Sequence, residues 1–134
     1  MNDDVLNISL GDSVITVTIN SIDIKAVNVK HDKIAQKVVL NCSNGSSEKL
    51  QAVDEAWVKQ KTGSYENKGL WLTVAEDGKL SIPPMSALGK IMLMYNAEQL
   101  KDLVNIKVRG IYKSNGFLAL LTEPYDKSKE YTSR

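Results

Sequence analysis

Apolar and polar positions alternate through the first thirty residues. Leu6, Ile8 and Leu10 share one phase ahead of a Gly11-Asp12 turn signal, and Ile15, Val17 and Ile19 then alternate with Thr16 and Thr18. β-Branched residues at a period of two predict a strand. After Asn20-Ser21 the phase flips to Ile22, Ile24 and Ala26, with no Gly or Pro to end the segment. This predicts a bulge or sharp bend inside one long strand. A second flip falls at Ala26-Val27, and residues 28–32 read as a lysine-flanked turn. Ile34, Val38, Leu40 and Cys42 mark the next strand, which Asn44-Gly45 closes with the positive φ angles of a hairpin turn.

The segment 48–61 supports two readings. Residues 47–50 could cap a helix carrying Leu50, Val53 and Trp57, or Leu50, Ala52, Ala56 and Val58 could alternate as a strand with Asp54 out of pattern. The neighbouring Asn-Gly turn and β-branched flank favour the strand. Residues 61–64 then read as a turn, 70–74 as a short strand, and Glu76-Asp77-Gly78 as its end. Pro83-Pro84 forbids a strand in a sheet interior and precedes a helix near 86-95, with Ser86 as its N-cap. Leu88, Ile91, Met92 and Tyr95 lie on one face of that helix, and Leu93 and Met94 extend its apolar surface, as a plug for a core would need. Asn96 and Gln99 stand at the spacing of a capping box for a short helix near 97-103 that presents Leu100 and Leu103. The clearest hairpin follows. Ile106, Val108, Gly110 and Tyr112 alternate with Lys107, Arg109 and Ile111, a turn falls at Lys113-Ser114-Asn115-Gly116, and Phe117, Ala119 and Leu121 return. After Pro124 the period disappears, so 1-124 is expected to be a single β-rich domain and 125-134 a flexible tail.

These elements predict a mainly β fold, a barrel of five or six strands with one plug helix; an α+β sandwich with one packed helix is the alternative. A long bent first strand (residues 14–29), a helix from Ser86 to Tyr95, and the run Asn105-Ile106-Lys107-Val108-Arg109-Gly110 leading into Asn115-Gly116-Phe117 together resemble OB-fold proteins, including single-stranded-DNA-binding ones. The resemblance spans roughly residues 14 to 122 and is one of pattern, without a signature motif. It implies a surface where bases stack on aromatic rings while Lys and Arg follow the phosphates. Two clusters have the needed residue types. Lys107, Arg109, Tyr112, Lys113 and Phe117 lie on or near the last hairpin, and Trp57 is flanked by Lys59 and Lys61 with Tyr65 close by. Against this, large aromatics in apolar segments usually fill cores, and alternating cations usually mark a solvated strand face.

Composition narrows the function. At 134 residues, 43% apolar and 25% charged, the chain has the size and balance of one globular domain. A net charge of +1 gives no general attraction to phosphates, so any nucleic-acid site must be a local patch. The lone Cys42 excludes an internal disulfide, the acidic start Met1-Asn2-Asp3-Asp4 is unlike a signal peptide, and no apolar run approaches a bilayer span. These features lead to the expectation of a soluble, intracellular, cytoplasmic protein without membrane contact. His31, the only histidine, sits in a polar turn, and Cys42 ends a core strand where a thiol is ordinarily buried and inert. Asp54-Glu55 would point to opposite faces of a strand and fail to converge. No nucleophile motif, phosphate loop or metal-ligand spacing is present, so neither a metal nor another cofactor is expected and the chain is not read as an enzyme. The expected role is binding of single-stranded nucleic acid. The alternative is a protein–protein interaction or assembly module, such as an accessory subunit or mobile-element protein, with a homo-oligomer through an edge strand as one form of it.

Overall fold

In the computed structural model, residues 14–29, 33–44, 49–124 and 131–132 are described, residues 33, 131 and 132 by their backbone alone. The expectations for 1–13, for residues 30–32 of the 28–32 turn with His31, for Gly45, for residues 46–48 and for most of the tail lie outside the described residues; Asn28 and Val29, expected in that turn, are strand, paired with Ile34 and Lys33. Within the tail, Tyr131 and Thr132 pair in parallel with Tyr65 and Glu66.

The strands are β1 (Val14–Val29), β2 (Lys33–Ser43), β3 (Gln51–Val53), β4 (Glu55–Lys59), β5 (Tyr65–Gly69), β6 (Trp71–Val74), β7 (Leu80–Ser81), β8 (Lys107–Tyr112), β9 (Leu118–Leu121) and β10 (Tyr131–Thr132). The helix α1 (Ala87–Met94) and a 3-10 helix (Leu100–Leu103) lie between β7 and β8. β1 pairs antiparallel with both β2 and β8, β8 pairs with β9, and β9 runs parallel to β4. β3 pairs back onto β2, and only Asp54 separates it from β4. The circuit of pairings therefore returns to β1, and the fold is mainly β, a strongly curled barrel-like sheet with one α-helix among the described residues. Curling removes most of the exposed edge that a small flat sheet would present.

The long first strand is bent where its apolar phase changes. Register slips between Ile19, opposite Cys42, and Ser21, opposite Asn41, so Asn20 is the extra residue. The second phase change has no slip behind it: Ala26 faces Gln36 and Val27 faces Ala35 in unbroken register. Toward the far end of the β1–β2 pair Ile24, Val29 and Ile34 are exposed, while Val38, Val39 and Leu40 of β2 stay buried. No residue of β1 from Asp23 to Val29 is buried, so apolar phase there is weakly constrained.

Within the 48–61 segment Gln51–Val53 and Glu55–Lys59 are strand, in a phase the sequence pattern did not favour. Val53, Ala56 and Trp57 are buried while Leu50 and Ala52 are exposed. Asp54 stands between the two strands and resets the alternation, its carbonyl accepting from the Leu70 amide at 2.9 Å. Strand β5 was not foreseen; Glu66, Asn67, Lys68 and Gly69 carry no apolar signal, and β4 recruits them by pairing Lys59 with Tyr65 through Glu55 with Gly69.

Ser86 caps α1 as expected, its hydroxyl accepting from the Gly89 amide at 3.1 Å. Leu88 and Ile91 are fully buried and Met92 nearly so, in one cluster with Val17, Leu40, Val53, Leu103, Val108 and Leu120. Leu93 points away and is exposed, so the helix has one buried face only. At the second helix the capping box sits three residues later than the Asn96–Gln99 spacing suggested. Gln99 is the N-cap and Asp102 closes the box by accepting from the Gln99 amide at 2.9 Å. Asn96 instead adopts a positive φ of 56° and ends α1.

A second apolar cluster lies on the opposite side of the sheet from α1. Trp57, Tyr65, Ala119 and Leu121 are buried there, with Val14 and Ile111 against them.

Candidate nucleic-acid interface

Trp57 and Tyr65, read from sequence as stacking platforms, are core residues. Trp57 is 1% exposed and donates its indole N–H to the Ile111 carbonyl at 3.0 Å, and Tyr65 donates its hydroxyl to Glu123 at 2.7 Å. Each ring fills the second cluster and finds a polar partner for its tip, the usual arrangement of a buried Trp or Tyr. Neither offers a face to a base. Lys59 and Lys61 beside them are exposed, on β4 and on its turn. Lys107 and Arg109 are also exposed, opposite Thr18 and Thr16 across β1 and β8. Alternation places them on the face that carries Ile111, over the second cluster. Among the described residues, that face has cations and no exposed ring.

The remaining candidates lie at the other end of the last hairpin. Lys107 and Lys113 are six residues apart on one strand, or about 20 Å. The turn after β8 is closed by Lys113 N–H to the Phe117 carbonyl at 2.8 Å and by Gly116 N–H to the Lys113 carbonyl at 3.0 Å. Gly116 takes a φ of 90°, which a side chain would strain, and Asn115 Oδ1 accepts from the Phe117 amide at 3.1 Å. This stiff turn holds the Phe117 ring 65% exposed. Tyr112, partly exposed, exchanges hydrogen bonds with the Gln51 amide group, which ties the hairpin to β3.

Two grooves meet at Phe117. One, of about 420 Å³, runs between the ring and Lys25, Asp54, Glu55 and Lys113; the other, of about 290 Å³, runs between the ring and Lys49, Leu50 and Gln51. The charges in the first groove are organised. Lys113 donates to Glu55 Oε1, and its side chain is only 8% exposed. Asn67 donates to Glu55 Oε2 at 2.7 Å. Burial pushes the Glu55 carboxyl up, but the bonds from Lys113 and Asn67 and the charges of Lys113 and Lys37 outweigh it, so its pKa lies below the ordinary value. Lys25 and Lys37 stand directly opposite each other in β1 and β2, and both approach Asp54 Oδ2, at 3.7 and 3.4 Å. The Lys37 ammonium also lies 4.9 Å from the centre of the Trp71 ring.

Asp54 and Glu55 thus line one groove although adjacent residues were expected to diverge. The expectation assumed a continuous strand, and the break at Asp54 removes that assumption. Phe117 was read in sequence as one member of the hairpin's cation and aromatic cluster, with core filling as the competing reading. Its signal was the position right after Asn115-Gly116, where a ring is carried on a turn and not packed under a sheet. Cys42 is fully buried and donates weakly to the Leu40 carbonyl, and burial pushes its thiol up to about 12. Among the described residues, no three of His, Cys, Asp and Glu converge as metal ligands, and no helix is long and apolar enough to cross a membrane.

No protein-family model matches this chain, and neither a curated protein nor a solved structure does so.

Proposed function

We propose that this chain is a non-enzymatic, OB-like module that binds single-stranded nucleic acid, and that the strand crosses the paired grooves at Phe117. The observation that carries this reading is the exposed ring shared by two grooves, with Lys25, Lys49 and Lys113 around them. A flat apolar face between cations suits a base with phosphates on either side, and such stacking tolerates any sequence. The strand circuit supports it, with a parallel β4–β9 pairing and a helix between β4 and β8, strands of the ring that follow one another along the chain. Fluorescence anisotropy with labelled 12-mers tests it. Binding at micromolar protein that weakens with salt, and that drops about fivefold or more in Phe117→Ala, is the expected result. Absence of binding at low salt, or an unchanged affinity in Phe117→Ala, rejects it.

A protein-assembly role has its own supporting observation. Between β7 and α1 lies a groove of about 380 Å³ lined by Leu80, Ile82, Pro84, Met92 and Leu93, beside the short outer strand β7. Apolar grooves next to strand edges suit protein partners, a second copy of the chain included. Sedimentation that gives a monomer at all concentrations, with no change on Leu93→Glu, rejects the self-association form of this reading.

A further inference from the structure

The larger groove at Phe117 is lined by carboxylates as well as by cations. Asp54 and Glu55 line it together with Lys25 and Lys113, and the Asp54 side chain, 32% exposed, is more open than that of Lys113, 8% exposed. A groove built only to hold a phosphate chain would not carry carboxylates there. The two carboxylates are also unequally occupied. Glu55 has one oxygen taken by Lys113 and the other by Asn67. Asp54 is approached by two ammonium groups at 3.7 and 3.4 Å, ion-pair separations longer than the 2.7–2.9 Å of charge-assisted hydrogen bonds. It therefore keeps acceptor capacity and is part-exposed toward the groove. Asn115 has its oxygen engaged by the Phe117 amide, which leaves its amino group as a donor.

We infer that this groove is a base-reading subsite, in which Asp54 selects a base stacked on Phe117 that carries an exocyclic amine (cytosine, adenine or guanine) over thymine or uracil. The inference rests on the nucleic-acid reading above and adds a specificity to it. A carboxylate accepts and never donates, so it matches the amino group of cytosine and is repelled by the carbonyl oxygen that thymine presents at the same ring position. The volume, about 420 Å³, is that of a small-ligand site and holds one nucleoside. Lys25 links the base to its backbone. Its side chain is 55% exposed, against 15% for Lys37, which is also held over Trp71. A phosphate that draws Lys25 outward takes one cation from Asp54, and the base amine replaces it.

The test compares labelled dC12 and dT12 at neutral pH. Wild-type protein is expected to bind dC12 about three- to tenfold more tightly, less than a fully buried bidentate pair would give. Asp54→Asn, whose amide can also donate, is expected to bring the two affinities together. Because Asp54→Asn also removes the counter-charge of Lys37, a probe that leaves the protein intact accompanies it: a 12-mer of 2-pyrimidinone deoxynucleotides, which are cytosine without its 4-amino group. Wild-type protein should bind this strand about as weakly as dT12. Equal wild-type affinity for dC12 and dT12, retained preference in a folded Asp54→Asn, or 2-pyrimidinone bound as well as dC12 each overturns the inference and leaves nucleic-acid binding standing. Failure to bind any of the strands overturns both.

Discussion

Trp57 and Phe117 exchange the roles that their neighbours in sequence suggest. Trp57 has lysines two and four positions on, yet it is sealed beneath the sheet; Phe117 follows a turn, and it is open. The difference comes from long-range pairing, because Trp57 lies opposite Asn67 on one side and Leu121 on the other. Its role as core is testable. Trp57→Ala should cost about 3–5 kcal/mol in denaturant unfolding, while Trp57→Phe keeps most of the volume, loses the bond to Ile111, and should cost about 1–3 kcal/mol. A Trp57→Ala protein as stable as wild type would return this ring to the list of surface platforms. Glu55 gives a pH prediction. Its folded pKa is below the unfolded one, so in the window between them the unfolded state binds more protons and stability rises with pH. The contribution is complete above the ordinary carboxylate range and is lost as pH falls through the lowered folded value. Denaturant midpoints measured from about pH 3 to about pH 6 should rise more steeply with pH for wild type than for Glu55→Gln. Parallel curves would mean that Lys113 and Asn67 do not hold this carboxylate in solution.

At the level of elements, local chemistry was legible wherever the chain itself closes the structure. Ser86 caps α1, the bulge sits at Asn20, and the last hairpin turns around Asn115-Gly116, because each depends on residues within a few positions. What could not be read depends on distant partners. Strand β5 has no apolar period and exists because β4 offers it a ladder, and the break at Asp54 is fixed by the Leu70 amide. The candidate site inherits that limit. Lys113 and Phe117 were visible as a hairpin cluster, but Lys25, Asp54 and Glu55 join them only through the barrel circuit. Gly89 shows a further constraint invisible in the chain. A Cβ there would collide with the carbonyl oxygens of Pro83 and Pro84, where the diproline segment folds over the helix start. Ala at a helical position ordinarily gains about 0.5–1 kcal/mol over Gly. Gly89→Ala should instead destabilise, by about 1–3 kcal/mol, as overpacking does. A raised thermal midpoint in that variant would show that the 83–84 segment moves aside.

For the whole molecule the deciding quantity is where the small positive charge acts. With 17 basic and 16 acidic side chains, the protein as a body has almost no attraction for a polyanion, and binding must come from a few cations on one face. Two faces compete. The Phe117 grooves carry Lys25, Lys49 and Lys113, the last held by Glu55; the opposite end of β8 carries Lys107 and Arg109 with no exposed ring among the described residues. Each phosphate neutralised on a single strand contributes about −0.7 to the slope of log K against log salt. Two or three contacts at the grooves therefore give a slope of about −1.4 to −2.1. Lys25→Ala and Lys49→Ala should each make it shallower by about 0.7, whereas Lys107→Ala and Arg109→Ala should leave it unchanged. All four side chains are exposed, so these variants should fold normally and the comparison isolates the binding face. A slope reduced by the β8 variants and untouched by the groove variants would move the strand to the other side of the sheet, where it would bind by charge alone. Stacking on Phe117 would then have no part in the affinity, and an oligonucleotide series of rising length would gain nothing from the exposed ring.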